Sequence, residues 1–136
     1  GAKVAAERLR PDQAIASDVS FALTPDADPD ECGKMGDGAM IGVAPVLDRP
    51  MTEALQALAG EKGIPYQLEL MGGRTGTNAD AIFCTGGGVR TALISLPQKY
   101  MHSPIEIVDA GDIAAVGRLM AEYLRHPLPA ARKEEA

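Results

Sequence analysis

Two side chains in this sequence combine useful chemistry with a telling position. His102 is one of only two histidines. It lies shortly after Ala92-Leu-Ile-Ser-Leu96, a short apolar run preceded by Gly86-Gly-Gly88 and followed by Pro97. Such a run reads as a strand buried on both faces, with Pro97 as its expected end. In open α/β sheets ligands bind beyond the carboxyl ends of strands. Imidazole is the commonest metal-ligating side chain and a frequent general base. An ordinary surface histidine after a strand fits the same residue type. Asp18 has a parallel setting, one residue beyond Ala14-Ile-Ala16. A carboxylate at the end of an apolar strand is costly to bury unless it is paired, hydrogen-bonded or bound to metal. An N-cap or turn aspartate is the plainer reading.

Two further stretches invite a chemical reading. Met71-Gly-Gly-Arg-Thr-Gly-Thr-Asn-Ala-Asp80 is a glycine-rich loop opening a helix. Helix starts bind anions, but no Gly-Lys-Ser/Thr ending is present, so the Walker signature is absent. Thr77 and Asp80 have the spacing of a capping box. The acidic, proline-rich residues 24–31 lack the EF-hand spacing and read as a solvated loop.

The elements that position these residues follow from periodicity and punctuation. Residues 2–9 suggest a short helix stopped by Pro11, and residues 13–20 a strand ending in Asp18-Val-Ser20. Residues 39–44 read as a second apolar strand. Asp48 then caps a helix with Pro50 in its first turn and Gly63 as its stop. Residues 66–70 alternate and suggest a strand at an edge or exposed on one face. Residues 79–85 form a helix ended by the glycines that follow. Asp109 or Asp112 caps a last helix with Ile113, Val116, Met120, Tyr123 and Leu124 as its buried stripe, and Arg125 and His126 suit its negative end. Strands alternating with helices predict an α/β fold with a largely parallel sheet covered on both faces.

Composition narrows the function. The chain has 136 residues, 46% of them hydrophobic, enough for one domain with a real core. Thirteen basic against nineteen acidic residues give a net charge of −6. That balance argues against a nucleic-acid partner. No apolar run approaches the roughly 20 residues of a membrane span. No signal peptide is visible, and Gly1 is not an initiator methionine, so a cut or processed piece of a longer chain is expected. Cys32 and Cys84 lack zinc-knuckle spacing and read as free thiols in a reducing cytoplasm.

Several stretches, in order, carry a resemblance. They are Gly1-Ala-Lys-Val-Ala-Ala6, Ile15-Ala-Ser-Asp-Val-Ser20, Lys34-Met-Gly-Asp-Gly38, Lys62-Gly-Ile-Pro-Tyr-Gln67, Gly76-Thr-Asn-Ala-Asp-Ala-Ile82, Thr91-Ala-Leu-Ile-Ser-Leu-Pro97 and Tyr100-Met-His-Ser-Pro-Ile-Glu106. Together the chain resembles the C-terminal part of the cytosolic glutamyl/deblocking metallo-aminopeptidases. These include the tetrahedral, TET-type enzymes, and members also carry the labels endoglucanase or cellulase M. The resemblance implies a three-layer α/β/α fold with a mostly parallel mixed sheet, an incomplete part of a zinc-peptidase catalytic domain. It places that part at residues 1–126 and a charged tail at 127–136. Asp18 resembles the terminal carboxylate ligand of one metal and His102 the imidazole ligand of the other. Tyr100, Ser103 and Glu106 match the signature in supporting roles, as do Thr77 and Asn78. Asn78 stands where the family usually has aspartate, which keeps the shape and loses the charge.

What the resemblance implies for function is hydrolysis of N-terminal residues from peptides. The cofactors would be two divalent ions, zinc or cobalt with manganese as a further candidate, about 3.5–4 Å apart and sharing a water. It also implies a cytoplasmic homo-oligomer. The general-base glutamate and the remaining ligands are expected upstream of Gly1, so no catalytic residue is assigned within this chain. With one ligand for each metal, the chain alone is expected to be inactive, since zinc usually takes three or four protein ligands. The competing classes are a non-catalytic homologue acting by assembly, a small anion- or nucleotide-binding domain using residues 72–77, and an endoglucanase-type glycoside hydrolase.

Overall fold

The computed structural model describes residues 1–130. Five strands form one sheet: β1 (Gln13–Phe21), β2 (Ala39–Val43), β3 (Tyr66–Leu70), β4 (Arg90–Lys99) and the two-residue β5 (Ile107–Val108). The order is β1-β4-β2-β3, with β5 also on β4. β4 runs parallel to β1 and antiparallel to β2 and β5, and β2 is parallel to β3. The sheet is therefore mixed, and β3 is an edge strand, as expected, but its exposed face carries Leu68 and Leu70 while Gln67 and Glu69 are half-buried.

Helices α1 (Ala2–Leu9), α2 (Arg49–Lys62), α3 (Ala79–Ile82) and α4 (Ala110–Arg125) complete an α/β/α arrangement. On one face Met51, Leu55 and Ala59 of α2 and Ala115, Leu119 and Tyr123 of α4 pack on Ile41, Ala92 and Ile94. On the other face Leu93 and Ala16 meet Leu47 and Ala79. Successive residues of β4 thus point into two different cores. This is why Ala92-Leu-Ile-Ser-Leu96 is apolar without alternation.

Local signals set most element ends. The Asp48 carboxylate accepts the Met51 N–H at 2.9 Å, and Gly63 ends α2 in a left-handed conformation. Asp109 caps α4, accepting from Gly111 and Asp112 N–H groups.

Four sequence expectations need correction. Pro97 does not end the key strand. The Gln98 carbonyl accepts from Ala22, so Gln98 turns its backbone toward β1 and Pro97 turns the other way. There β2 pairs only at Ile94 and Ser95, and β5 begins at Gln98. The missing N–H falls between two short ladders, and the strand continues to Lys99. The third helix ends at Ile82 rather than residue 85. The Thr85 hydroxyl takes the Ala81 carbonyl at 2.7 Å, while its N–H turns to Ile82. The expected Thr77–Asp80 capping box is not formed. Asp80 accepts instead from Thr75 and Gly76.

The buried stripe of α4 is also rolled from the expected one. Ile113 and Leu124 are exposed, and Asp112, Ala115, Val116, Leu119 and Tyr123 face inward. Asp112 explains the roll. Its carboxylate, 1% exposed, accepts the backbone N–H groups of Gly36 at 2.7 Å and Gly38 at 2.8 Å. Gly38 has φ +94°, and a Cβ there would lie 2.0 Å from the Pro65 carbonyl oxygen. The turn into β2 therefore admits only glycine, and Asp112 clamps it.

Past α4, Leu128 packs on the core, and its carbonyl accepts from Gln13 at 2.6 Å. The rest of the expected tail, residues 131–136, lies outside the described residues.

Asp112→Ala should lower stability by about 2–4 kcal/mol, because two backbone donors lose a charged acceptor. An unchanged urea midpoint would show that the clamp contributes nothing. A second outcome concerns pH. Burial raises the Asp48 carboxyl, but the Arg90 and Met51 hydrogen bonds and the guanidinium charge outweigh it and hold the group below its ordinary value. A carboxyl lowered on folding stabilises the protein above its unfolded pKa of about 3.9, and that contribution is lost as pH falls through the folded value. Asp48→Asn keeps a cap acceptor and removes the charge. It should melt below the parent protein at neutral pH, with the gap closing as pH falls through the unfolded value of about 3.9 and below. A gap independent of pH would point to packing instead.

Candidate active site

The residues expected to do chemistry converge on the sheet face opposite α2 and α4. A cleft of about 410 Å³ there is lined by Asp18, Ser20, Glu69, Thr75, Thr77 and His102, among others. A larger cavity of about 540 Å³ lies between α1 and residues 85–90, and it contains none of the expected site residues.

Asp18 enters the cleft from β1, where its register partner on β4 is Ser95. It is half-buried, and its Oδ1 accepts the Val19 N–H at 2.9 Å. His102 enters from the loop after β4. The backbone there is unusual, since Tyr100 has φ +58° and His102 φ +63°. Non-glycine residues in the left-handed region each cost about 1–3 kcal/mol and persist where the surroundings hold them. Here the surroundings are visible. The Glu106 carboxylate accepts the His102 N–H at 2.7 Å. The Ser103 N–H donates to the Tyr100 carbonyl at 3.1 Å, and its hydroxyl donates to the Ile105 carbonyl at 2.8 Å. Glu106 and Ser103 therefore shape the turn that presents His102. The Tyr100 side chain stays outside the cleft, beside Ser103, Pro104 and Ile105.

The glycine-rich loop supplies another wall. Burial raises the Asp80 carboxyl, but hydrogen bonds from Thr75 and Gly76 and the charge of Arg74 bring it below its usual value. Those bonds hold the loop, and Thr77 Oγ1 accepts the Ala79 N–H at 3.1 Å. Asn78 sits at the N-cap position of α3 with no side-chain capping bond.

Sequence reasoning missed Glu69. Its two carboxylate oxygens accept the hydroxyls of Ser20 and of Ser95, the latter at 2.7 Å. Glu69 lies on β3, while its serine partners lie on β1 and β4. Alternation alone put Gln67 and Glu69 on one face. Only the strand order shows that this face leads to Asp18.

The pattern of the M42 glutamyl aminopeptidase family matches residues 1–119. The chain belongs to this family. It is 34% identical over 129 residues to a lysyl aminopeptidase of Pyrococcus furiosus, a match covering 95% of the chain and 37% of the relative. The structure is similar to that of aminopeptidase APDkam598 from the archaeon Desulfurococcus kamchatkensis, with a TM-score of 0.86 and 33% identity over 93% of this chain and 37% of that one. It is also similar to the TET1 peptidase of Pyrococcus horikoshii, which assembles into a tetrahedron or a large octahedral shell. There the TM-score is 0.71 and the identity 29%, over 94% of this chain and 37% of that one. The chain thus spans little more than a third of the length of these relatives.

M42 enzymes are metallopeptidases, and carboxylate and imidazole are suitable donors for a divalent ion. The donor chemistry of Asp18 and His102 fits such a role. Among the described residues, no three His, Cys, Asp or Glu side chains form a group that could hold a metal.

Within this M42 chain, Glu106→Ala should release the His102 turn. Amide exchange at His102 should quicken by about tenfold, with less than about 1 kcal/mol lost globally, because the bond is exposed and local. Unchanged exchange at His102 would remove Glu106 from the positioning of the loop.

Proposed function

We propose that this chain is the part of an aminopeptidase that supplies Asp18 and His102, one to each of two divalent ions, for removal of N-terminal residues from peptides. The observation that carries this reading is the meeting of Asp18 and His102 in one cleft, the first from β1 and the second from the loop that follows β4. Zinc or cobalt suits these donors, and manganese is a further candidate. When bound, the pair of ions would supply an activated water and polarise the peptide carbonyl. The remaining ligands and the proton-accepting glutamate are assigned to residues outside these 136. Two protein donors are fewer than a zinc ion usually takes, so the chain by itself would be inactive.

The work of this chain's own residues is positional. Glu106 and Ser103 fix the turn that carries His102. Asp80 fixes the loop that presents Thr77. The sheet holds Asp18 against Ser95. Asn78 leaves the start of α3 without a side-chain charge at that position.

The same reading takes the complete enzyme as a cytoplasmic homo-oligomer. Its support is the assembly of the Pyrococcus horikoshii relative. Cys32 and Cys84 are free thiols, in keeping with a reducing compartment. No helix of the described residues is long and apolar enough to cross a membrane. Glycoside hydrolysis is not favoured by the family or by the relatives named above, nor is a purely structural role.

His102→Ala in the complete enzyme should lower kcat/KM for an aminoacyl-nitroanilide by at least about 100-fold, with the melting temperature nearly unchanged. One equivalent of metal per chain should be lost on dialysis. A variant with normal turnover and metal content would show that His102 is only a surface residue.

A further inference from the structure

Glu69 has an unusual position for a strand glutamate. It belongs to an edge strand, yet its carboxylate reaches inward over the sheet to Ser20 and Ser95. Gly42, its register partner on β2, carries no side chain to block that path. Each serine has a single O–H donor, and both donate to Glu69. The carboxylate is thus aimed, and two of its roughly four acceptor positions remain open.

The charge around it is one-sided. The cleft is lined by the carboxylates of Asp18, Glu31 and Glu69, and no lysine or arginine lines it. Among the described residues, the ion pairs lie elsewhere: Arg49 with Glu53, Lys62 with Glu61, Arg90 with Asp48, and Arg125 with Glu122. Glu69 has no cationic partner in that set. Of the apolar residues along the cleft, Met71 and Met101 lie outside the strands, whereas Val19, Phe21 and Leu70 alternate with Ser20 and Glu69 and turn their side chains to the other face. Two methionines beside a fixed carboxylate suit a long aliphatic chain ending in a cation, whose stem packs while its head is paired.

We propose that Glu69 is a specificity-determining residue that receives the side-chain ammonium or guanidinium of a basic N-terminal residue. This rests on the aminopeptidase reading above, which puts the peptide's own amino terminus at the Asp18 and His102 end. Glu69 is then left for the side chain. Its serine partners act as positioning residues, holding the carboxylate in place before substrate arrives. A cation meeting an aimed carboxylate in a partly closed cleft gains more than it would in open water, because less solvent competes for it.

The test compares lysyl- and norleucyl-nitroanilide in the complete enzyme. The two substrates match in chain length, and only lysine carries the terminal ammonium. The parent enzyme should favour lysine by about 10- to 100-fold in kcat/KM, the range of one charged hydrogen bond. Glu69→Gln keeps the shape and removes the charge; its amide oxygen still accepts from one serine, while its NH2 donates to the hydroxyl oxygen of the other. It should lower lysine turnover far more than norleucine turnover and so erase most of that preference. Calorimetric binding of free lysine against free norleucine should show the same preference without any turnover. Equal handling of both substrates by the parent, while both are cleaved, would overturn the role of Glu69 and leave the aminopeptidase reading standing. An equal loss for both substrates in Glu69→Gln would also overturn it, placing Glu69 at the amino terminus or in the scaffold. Cleavage of neither substrate by the metal-loaded parent, with neither amino acid bound, would overturn both readings together.

Discussion

The parallel pairing of β1 with β4 is the constraint on which the rest of the structure depends. It runs from Gln13 opposite Arg90 to Phe21 opposite Gln98. Side chains alternate with a period of two, so a slip of one residue would turn Asp18 toward α2 and α4 and carry Ser20 away from Glu69. Two cores prevent that slip. Ile15, Ala92 and Ile94 pack on one face, and Ala16 and Leu93 on the other. A displaced β1 would push polar groups into both cores at once. The same packing that stabilises the sheet therefore sets which residues face the cleft.

Much of this arrangement was legible in the sequence where the signal is local. Asp48, Pro50 and Gly63 mark α2 because capping and termination depend on a few neighbouring residues. The two strands leading to Asp18 and His102 were legible because each is a short apolar run with clear punctuation. The failures share a different cause. Pro97 reads as a breaker until the gap between β2 and β5 is known. Asp112 reads as a surface cap until the glycine turn before β2 is seen lying against α4. Glu69 reads as one polar residue of an alternating edge strand, since its serine partners are 49 and 26 positions away in the chain. Each depends on long-range neighbours that periodicity does not report.

Polar groups in this fold are used chiefly to fix backbone rather than to add bulk stability. Asp48, Asp80, Glu106, Asp109 and Asp112 each accept backbone N–H groups near a turn or a helix start. Charged acceptors make stronger bonds than neutral ones and specify direction. Acidic side chains thereby have two separate uses, one structural and one facing the cleft. Each structural carboxylate has at least one oxygen bonded to a main-chain donor, and none of the five lines the cleft.

The hairpin between β4 and β5 has a consequence for how the site meets a ligand. Lys99 pairs with Ile107, so the residues carrying His102 span a short loop with both ends tied to the sheet. Closing a short loop costs little chain entropy, and the contacts from Glu106 and Ser103 remove most of what freedom remains. The ordering of the imidazole-bearing turn is thus completed during folding. A ligand arriving at the cleft does not have to organise that turn, so its binding free energy is not reduced by the ordering. The hairpin's length is accordingly less tolerant of insertion than an ordinary surface loop. An added residue would leave the sheet intact while returning to His102 the disorder that its strained backbone conformation now excludes.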